Sequence, residues 1–374
     1  MSLRREFVEL ACQPGANTRA LCRRFEISPK TGYKWLNRYA QATSADALRD
    51  RSRQPHAQPT RSAPEIEAAV VALRQAHPVW GGRKIARRLL DRDNITVAPS
   101  TVTAILHRHG LIHSAASEAA KPWLRFEHAA PNTLWQIDFK GHFPTPAGKC
   151  HALTMLDDHS RFNLVLKACA RTDADSVQPA LTDVFRRYGL PARINADNGS
   201  PWGSPSLAER GLSRLSVWLI RQGIRISHSA PYHPQTNGKL ERFHRSLEAE
   251  VLAGRGFADL ARAQSAFDDW RTIYNYERPH EALKLATPVQ RYQPSQIDYR
   301  ETLPPIEYPT TDTVLTVGWN GFVKFMGRQF RLSNALHQLP VGIRPDPRQD
   351  GCFEVYFCHQ RFMRLDMNQP AGNT

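Results

Sequence analysis

The sequence predicts a multidomain protein with an all-α N-terminal region, an α/β core built on a mixed sheet, and a small all-β barrel at the C-terminus. Three observations support this order. Apolar residues recur at helical spacing in residues 4–108, strand and helix patterns interleave in residues 125–285, and short alternating strands follow residue 312. A chain of 374 residues is long enough for two to four domains, each with a core of its own.

The charge of the chain is strongly positive and unevenly spread. The formal net charge is +15 and the pI about 9.9. Residues 1–125 hold 21 Lys and Arg against 10 Asp and Glu, so most of the excess is N-terminal. Such an excess indicates a polyanionic partner such as DNA. The six cysteines form no C-x-x-C pair, and neither a membrane-length apolar run nor a secretory signal is evident, so we expect a reducing cytoplasm.

Residues 1–42 carry a helix-turn-helix pattern. A first helix ends at Gln13-Pro14-Gly15, and a second runs from Thr18 to Phe25. Ser28 is predicted to cap a third helix whose first residue is Pro29. In this arrangement the third helix is the recognition helix, which enters the major groove of DNA.

The turn before that helix carries one unfavourable feature. Glu26 occupies a position that is commonly Gly, and a non-Gly residue tolerates positive φ poorly. A three-helix bundle that does not bind nucleic acid is the alternative, and the basic excess favours DNA. The predicted DNA contacts of this module are Lys30, Thr31, Tyr33, Lys34 and Arg38.

A second helix-turn-helix domain is predicted over residues 63–115, after a basic linker at residues 43–62. Its helices begin at Pro64, near Arg83 and at Pro99, and each has an apolar stripe. The polar faces either contact phosphates or form an ordinary solvated surface. The predicted DNA contacts here are Arg83, Lys84, Arg87, Thr101 and Arg108.

An α/β core is predicted over residues 125–285, with the order βββαβαβα, which implies a mixed sheet flanked by helices. The strands are predicted at residues 134–140, 150–156, 162–168, 192–196 and 224–227, and the helices at 175–188, 207–222, 240–253 and 257–276. A proline-rich stretch at 286–312 is predicted to be an extended linker. Five short strands within residues 313–368 then predict a small barrel, for which the pattern alone suggests no role beyond protein–protein packing.

Three acidic residues stand at distinctive places in this core. Asp138 leaves the packed face of an alternating strand, Asp197 ends a short strand, and Glu241 lies in the first turn of a helix. By itself a glutamate on a helix is most often part of a solvated face. Asp157 and Asp158 lie in a hairpin turn, where Asp is expected for conformational reasons, so we predict a structural role for both.

Four motifs in this order resemble those of bacterial insertion-sequence transposases with a retroviral-integrase-type core. They are Trp-Gln-Ile-Asp at 135–138, Asp-Asn-Gly at 197–199, Pro-Tyr-His-Pro-Gln-Thr-Asn-Gly-Lys-Leu-Glu-Arg at 231–242 and Tyr-Asn-Tyr-Glu-Arg-Pro-His at 274–280. The resemblance covers essentially the whole chain. It implies two helix-turn-helix modules, a ribonuclease-H-like catalytic core over residues 125–285, and a small β-barrel tail that binds DNA in an assembled complex. It also implies a bacterial, nucleoid-associated protein.

The resemblance places Asp138, Asp197 and Glu241 on the Asp-Asp-Glu (DDE) triad of the family, as catalytic and metal-binding residues. Phosphoryl transfer needs mainly positioning and charge stabilisation, and two divalent ions about 3.5–4 Å apart can clamp the attacking and leaving oxygens. Mg²⁺ prefers oxygen ligands, so two Mg²⁺ ions are expected, for which Mn²⁺ can substitute. The 43 residues between Asp197 and Glu241 exceed the usual family spacing, so Glu248 and Glu250 stay open as alternatives to Glu241.

The resemblance implies a transposase that binds the terminal inverted repeats of its mobile element and catalyses metal-dependent cleavage and strand transfer. The expected partners are double-stranded DNA, at element ends and target, and further copies of the chain, at least a dimer on DNA, with no membrane. A DNA-binding repressor without chemistry and a metal-dependent nuclease are the alternatives. The predicted DNA contacts near the site are His228, Tyr232, His233, Gln235 and Lys239.

Overall fold

The computed structural model describes residues 3–41, 48–50, 62–112, 127–204, 212–228 and 238–369. These residues belong to two compact units, 1–61 and 62–374. Tyr232, His233 and Gln235, like most of the basic linker, lie outside the described residues. In the part of the chain that is described, no helix is both long enough and apolar enough to cross a membrane.

The first unit contains the three predicted helices, α1 (Leu3–Ala11), α2 (Thr18–Arg24) and α3 (Pro29–Ala40). The Ser28 hydroxyl accepts a hydrogen bond from the backbone N–H of Thr31 at 3.2 Å and thereby caps α3, as predicted. Glu26 has φ 51°, so this turn does use the left-handed conformation that disfavours a non-Gly residue. A Cβ on Gly32 would lie 2.6 Å from Cys22 Sγ, which explains why glycine stands where α2 and α3 meet.

The second unit begins with three more helices, α4 (Pro64–Ala76), α5 (Gly82–Asp93) and α6 (Pro99–Arg108). Their core holds the fully buried Trp80 together with Ile85 and Ile105. The Arg74 guanidinium donates to the Trp80 carbonyl oxygen at 2.7 Å and to the Leu111 carbonyl oxygen at 2.9 Å, which closes the module. The predicted second helical module is therefore present.

The core of the second unit is a five-stranded mixed sheet with the order β3-β2-β1-β4-β5. Strands β1, β2 and β3 are antiparallel, whereas β4 and β5 run parallel to β1. The predicted order βββαβαβα is confirmed. The elements are β1 (Trp135–Thr145), β2 (Gly148–Asp157), β3 (Asn163–Cys169), α7 (Ala174–Tyr188), β4 (Arg193–Ala196), α8 (Arg214–Arg221), β5 (Arg225–His228), α9 (Gly238–Leu247) and α10 (Leu260–Tyr276).

Helices cover both faces of this sheet. One face, with Trp135 and Ile137, packs against α7 and α8, and the other packs against α9 and α10. Of the helix predicted over 207–222, residues 207–211 lie outside the described residues, and the described part is helical from Arg214 to Arg221, with Ser213 as its cap. The predicted helix over 240–253 changes at its C-terminal end to a single π-helical turn, Glu248–Leu252.

The proline-rich stretch differs from the predicted extended linker. Residues Pro288–Arg291 form a 3₁₀ turn, and the Tyr292 ring stacks on Phe162 with centroids 4.3 Å apart. The Ser295 backbone N–H donates to the Tyr188 carbonyl oxygen at 2.8 Å. This part of the stretch lies against the core because its aromatic residues bury apolar surface there.

The C-terminal region is all-β, as predicted, but residues 313–369 do not form a closed barrel. They form a four-stranded sheet with the order β11-β10-β9-β6 and a separate β7-β8 hairpin around one apolar core. The strands are β6 (Thr313–Thr316), β7 (Phe322–Phe325), β8 (Arg328–Arg331), β9 (Pro340–Pro345), β10 (Cys352–Phe357) and β11 (Gln360–Asp366), of which the last was not predicted.

This β region is attached to the catalytic core. Val217 and Ile220 of α8 are part of its apolar cluster. The Gln360 side chain accepts from the Ile226 backbone N–H at 2.8 Å and donates to the Ile226 carbonyl oxygen at 3.2 Å. An amide side chain thus completes the hydrogen bonds of β5, the edge strand of the sheet.

Candidate active site

The parallel pairing of β1 with β4 brings the two predicted aspartates together. Trp135 pairs with Ile194 and Gln136 with Asn195. Two residues further along each chain, the same register sets Asp138 beside Asp197. Asp138 lies on the sheet face opposite Ile137, which is the face that α9 covers.

The pKa of Asp138 reflects its proximity to Asp197. Burial raises the pKa of the Asp138 carboxyl to about 6, the hydrogen bond from the Phe139 N–H at 2.8 Å opposes that rise, and the charge of Asp197 adds to it. Two carboxylates that repel one another in a partly buried place are stabilised by a cation between them. Such a perturbed acid is typical of a functional site.

Asp197 lies just beyond the end of β4, and its side chain is exposed. Its carboxylate accepts a hydrogen bond from the Gly199 N–H at 3.0 Å. The backbone oxygen of Asp197 accepts from Nδ1 of His228 at 2.8 Å. His228, predicted as a DNA contact, therefore lies at the site, at the end of the neighbouring strand.

Glu241 lies in the first turn of α9 with its side chain exposed, and contacts on either side of it fix the helix. On the N-terminal side, Lys239 forms an ion pair with the buried Asp158. On the C-terminal side, the His244 ring lies 2.8 Å from the Thr154 hydroxyl oxygen. Thr154 is fully buried and faces Asp138 across the β1–β2 pair.

The link between α9 and the first aspartate was not predicted from the sequence. The Thr154 hydroxyl donates to the Asp138 carbonyl oxygen at 2.9 Å while it also contacts His244 Nε2. Burial, and then the charge of Lys140, lower the pKa of His244 to about 4, so the ring is neutral near pH 7. The helical spacing placed His244 on the same face as Glu241, and that was the only signal in the sequence.

The two alternative glutamates have partners elsewhere. Glu248 forms an ion pair with Lys140 of β1. Glu250 lies 2.9 Å from the Arg278 guanidinium, and its side chain is 8% exposed. Both alternatives thus take part in ion pairs, whereas Glu241 is exposed in the first turn of α9.

The chemistry of the donors fits a hard divalent ion, but the three acids are not assembled into a finished metal site. Among the described residues, no group of three or more His, Cys, Asp or Glu side chains is arranged to hold a metal ion. The β1–β4 register brings Asp138 and Asp197 together, and α9 carries Glu241 over the same face of the sheet. Oxygen ligands of this kind are those that Mg²⁺ prefers.

Asp157 and Asp158 have the structural role that the turn chemistry predicts. Asp157 is fully buried and accepts from the backbone N–H groups of Asn132 at 2.7 Å and Ser160 at 2.8 Å. Asp158 accepts from the Gln136 amide at 3.0 Å. These bonds order the turn that joins β2 to β3.

Lys239, predicted as a DNA contact near the site, is largely buried at the start of α9. Its side chain is 15% exposed and is paired with Asp158. Burial, and then the charge of Arg161, lower the pKa of Lys239 to about 8. The ammonium group therefore anchors the start of α9 to the β2–β3 turn.

The predicted DNA contacts of the helical modules have varied surroundings. Lys30, Tyr33 and Lys34 are exposed, whereas the Thr31 hydroxyl contacts Ser28 Oγ at 2.9 Å and Arg38 is half-buried. In the second module Arg83 and Arg108 are exposed and Thr101 is half-buried. Arg87 pairs with Asp91 at 2.7 Å, Arg108 pairs with the buried Glu67, and burial lowers the pKa of Lys84 to about 8.

The motif at 274–280 joins α10 to the beginning of β3 through hydrogen bonds. The Asn275 side chain accepts from the Asn163 N–H at 2.8 Å and donates to the Asn163 carbonyl oxygen at 3.0 Å. It thereby satisfies a backbone group at the beginning of β3 from α10. Arg278 of the same motif pairs with Glu250.

Five protein-family models match this chain, over partly overlapping ranges. The integrase core domain matches residues 128–234 and 222–288, a helix-turn-helix domain matches 3–56, and a homeodomain-like domain matches 31–106. The C-terminal domain of the IS481 family transposases matches 312–372. The fold and these matches define a protein with helix-turn-helix domains and an integrase core domain.

The relatives are proteins of mobile elements. The chain is 25% identical to an uncharacterized 39.2 kDa protein of insertion element IS476 from Xanthomonas euvesicatoria, over 62% of this chain and 66% of that one. It is 28% identical to an uncharacterized 31.7 kDa protein of insertion element IS407 from Burkholderia multivorans, over 42% of this chain and 54% of that one. The resemblance to bacterial insertion-sequence transposases with a retroviral-integrase-type core is confirmed.

Among solved structures, the integrase catalytic core domain of HTLV-2 in complex with magnesium aligns with a TM-score of 0.34 and 18% identity. The alignment covers 44% of this chain and 99% of that one.

Proposed function

We propose that this protein is a DDE transposase that binds the terminal inverted repeats of its element and catalyses DNA strand cleavage and strand transfer. The observation that supports this most is the juxtaposition of Asp138 and Asp197 on paired parallel strands, with Glu241 on the helix that covers the same face of the sheet. The exposed basic groups of α3 supply a surface for DNA.

The residues of the site have distinct roles in this proposal. Asp138, Asp197 and Glu241 would hold two Mg²⁺ ions, for which Mn²⁺ can substitute. When bound, these ions supply charge stabilisation to the attacking and leaving oxygens of the phosphodiester. The buried strand fixes Asp138, and α9 carries Glu241 on a surface that DNA can reach. His228, whose ring is tied to the Asp197 backbone, is placed to contact a strand end.

The experiment that tests this function uses Asp138→Asn and Asp197→Asn in the full chain. Each substitution keeps the shape of the side chain and removes its charge, so we expect Mg²⁺-dependent cleavage and joining of element ends to be lost while end binding persists. Asp183→Asn, an exposed carboxylate on α7, is the matched control and should keep full activity.

Three outcomes would contradict the proposal. Metal-dependent cleavage by either site variant would show that the acids are assigned wrongly. End binding without any cleavage by the unsubstituted protein would favour the repressor, and cleavage without joining would favour the nuclease.

We also propose that the active form on DNA is at least a dimer. One chain has one Asp-Asp-Glu set, whereas an element has two ends to be joined in concert. Mixing a Glu241→Gln protein with a second protein that carries Lys30→Ala and Lys34→Ala should restore strand transfer that neither shows alone. An inactive mixture, when mixed oligomers do form, would place recognition and chemistry in the same protomer.

A further inference from the structure

A chain of two hydrogen bonds joins the helix that carries Glu241 to the backbone of Asp138. The Thr154 hydroxyl lies 2.9 Å from the Asp138 carbonyl oxygen and 2.8 Å from His244 Nε2. Thr154 itself is fully buried in the middle of β2. The three groups therefore connect two strands and a helix through one shared hydroxyl.

The direction of both hydrogen bonds follows from the chemistry of the groups. A carbonyl oxygen only accepts, so the single hydroxyl hydrogen of Thr154 goes to Asp138. His244 must then donate its Nε2 hydrogen to the Thr154 oxygen, which fixes one tautomer of the ring. A group that cannot donate at this position would leave the hydroxyl oxygen without its second partner.

We propose that His244 and Thr154 are positioning residues that set Glu241 relative to Asp138 for divalent-ion binding. This inference rests on the proposed function of the same site. His244 is three residues after Glu241, so the two side chains lie on one face of α9, less than one helical turn apart. A shift of the His244 contact therefore moves Glu241 with it.

The contact between His244 and the buried Thr154 suits a positioning role, because a buried hydrogen bond holds its partners in one place. A metal site needs its ligands held within a few tenths of an ångström, and partners behind the ligands commonly change metal affinity or activity by about 10–100-fold. The Lys239–Asp158 pair fixes the other side of Glu241. Together the two contacts tie α9 to β2 and to the β2–β3 turn.

The test uses two pairs of variants in the full chain. Thr154→Val and His244→Leu remove the hydroxyl and the donor, whereas Thr154→Ser and His244→Gln keep them, since the glutamine amide reaches about as far as Nε2. We expect the first pair to weaken Mn²⁺ binding, measured by calorimetry on the protein without DNA, at least tenfold. Strand-transfer turnover should fall by a similar factor, with affinity for DNA ends within about twofold of the unsubstituted protein.

The conservative variants should recover Mn²⁺ affinity to within about threefold. A second measurement without metal, amide hydrogen exchange over residues 238–247, should show faster exchange in Thr154→Val and His244→Leu alone. Thermal unfolding of all four variants identifies any that fail to fold. Thr154→Val and His244→Leu disrupt the same hydrogen-bonded chain from its two sides, so either one that folds decides the question against its conservative partner.

Failure of this inference is distinguishable from failure of the proposed function. If Thr154→Val and His244→Leu fold and bind Mn²⁺ like the unsubstituted protein, the positioning role is wrong although Asp138→Asn still abolishes cleavage. Equal loss in the conservative variants would also overturn it, because packing alone would then explain the effect. If the unsubstituted protein joins no DNA, the function fails, and the Mn²⁺ and exchange contrasts still decide the positioning role.

Discussion

Glu250 and Arg278 form a buried ion pair, with 2.9 Å between the carboxylate and the guanidinium and side chains that are 8% and 9% exposed. The Glu250 carboxylate also accepts from the Trp270 indole N–H at 2.8 Å. The pair ties the π-helical turn after α9 to the chain that follows α10. Glu250 is therefore a structural residue, although the sequence left it open as an alternative to Glu241.

Because Glu241 is exposed and Glu250 is buried in an ion pair, substituting each by Gln should affect a different property. Glu241→Gln should abolish metal-dependent cleavage without changing the free energy of unfolding, because its side chain is exposed. Glu250→Gln should lower that free energy by about 3 kcal/mol, because it leaves the Arg278 charge buried and unpaired. Cleavage assays and urea unfolding measure the two effects.

Glu248→Gln is the matched control on the exposed face of the same segment. Cleavage by Glu241→Gln, or loss of cleavage in a folded Glu248→Gln protein, would reassign the third acid.

The recognition helix should carry a salt-dependent part of DNA binding. Lys30 and Lys34 are exposed on α3, so substituting either by Ala should weaken binding and reduce the slope of log affinity against log salt by about 1. Fluorescence anisotropy of the full chain at several salt concentrations measures this slope. Arg5→Ala, on α1 and paired with Glu9, should leave it unchanged. An equal effect of Arg5→Ala would argue against α3 as the DNA-contacting element.

The side-chain bonds of Gln360 should contribute to stability. Gln360→Met keeps the length of the side chain but leaves the N–H and carbonyl of Ile226 without this partner. We expect the free energy of unfolding to fall by about 1–3 kcal/mol. Gln329→Met, at an exposed position of β8, is the control and should change it by less than about 0.5 kcal/mol. Equal stability of the two variants would show that Gln360 does not fasten the β region to β5.

His280 should make the protein less stable in mild acid. Burial, and then the charge of Arg278, hold the pKa of His280 well below its ordinary value near 6.5. The unfolded chain then binds a proton that the folded chain does not, so stability is lost as pH falls below about 6.5, by at most about 1.4 kcal/mol per pH unit for this one group. His280→Gln keeps a donor for the Tyr274 carbonyl oxygen and removes the titration. Denaturant unfolding between pH 5 and 7 should show a smaller pH dependence in the variant, and an unchanged dependence would exclude His280 as a source.

The sequence by itself determined the order of strands and helices in the core and predicted that Asp138 and Asp197 come together there. Periodicity, caps and turn residues are local, so the order of strands and helices in the core and the cap at Ser28 could be predicted. Glu26 was predicted as an unfavourable residue for its turn, and it does adopt positive φ. The motifs then assigned Asp138, Asp197 and Glu241 their predicted roles.

Only the tertiary structure decided which elements meet. Thr154 and His244 are 90 residues apart, and nothing local in either segment indicates their contact. The burial of the proline-rich stretch depends in the same way on a distant residue, because Tyr292 stacks on Phe162. The arrangement of the C-terminal strands also depends on distant contacts, such as the hydrogen bond from the Ile226 N–H to the Gln360 side chain. Strand patterns give the period of a sheet but not its closure, because closure is set by pairing between strands that are distant in the sequence.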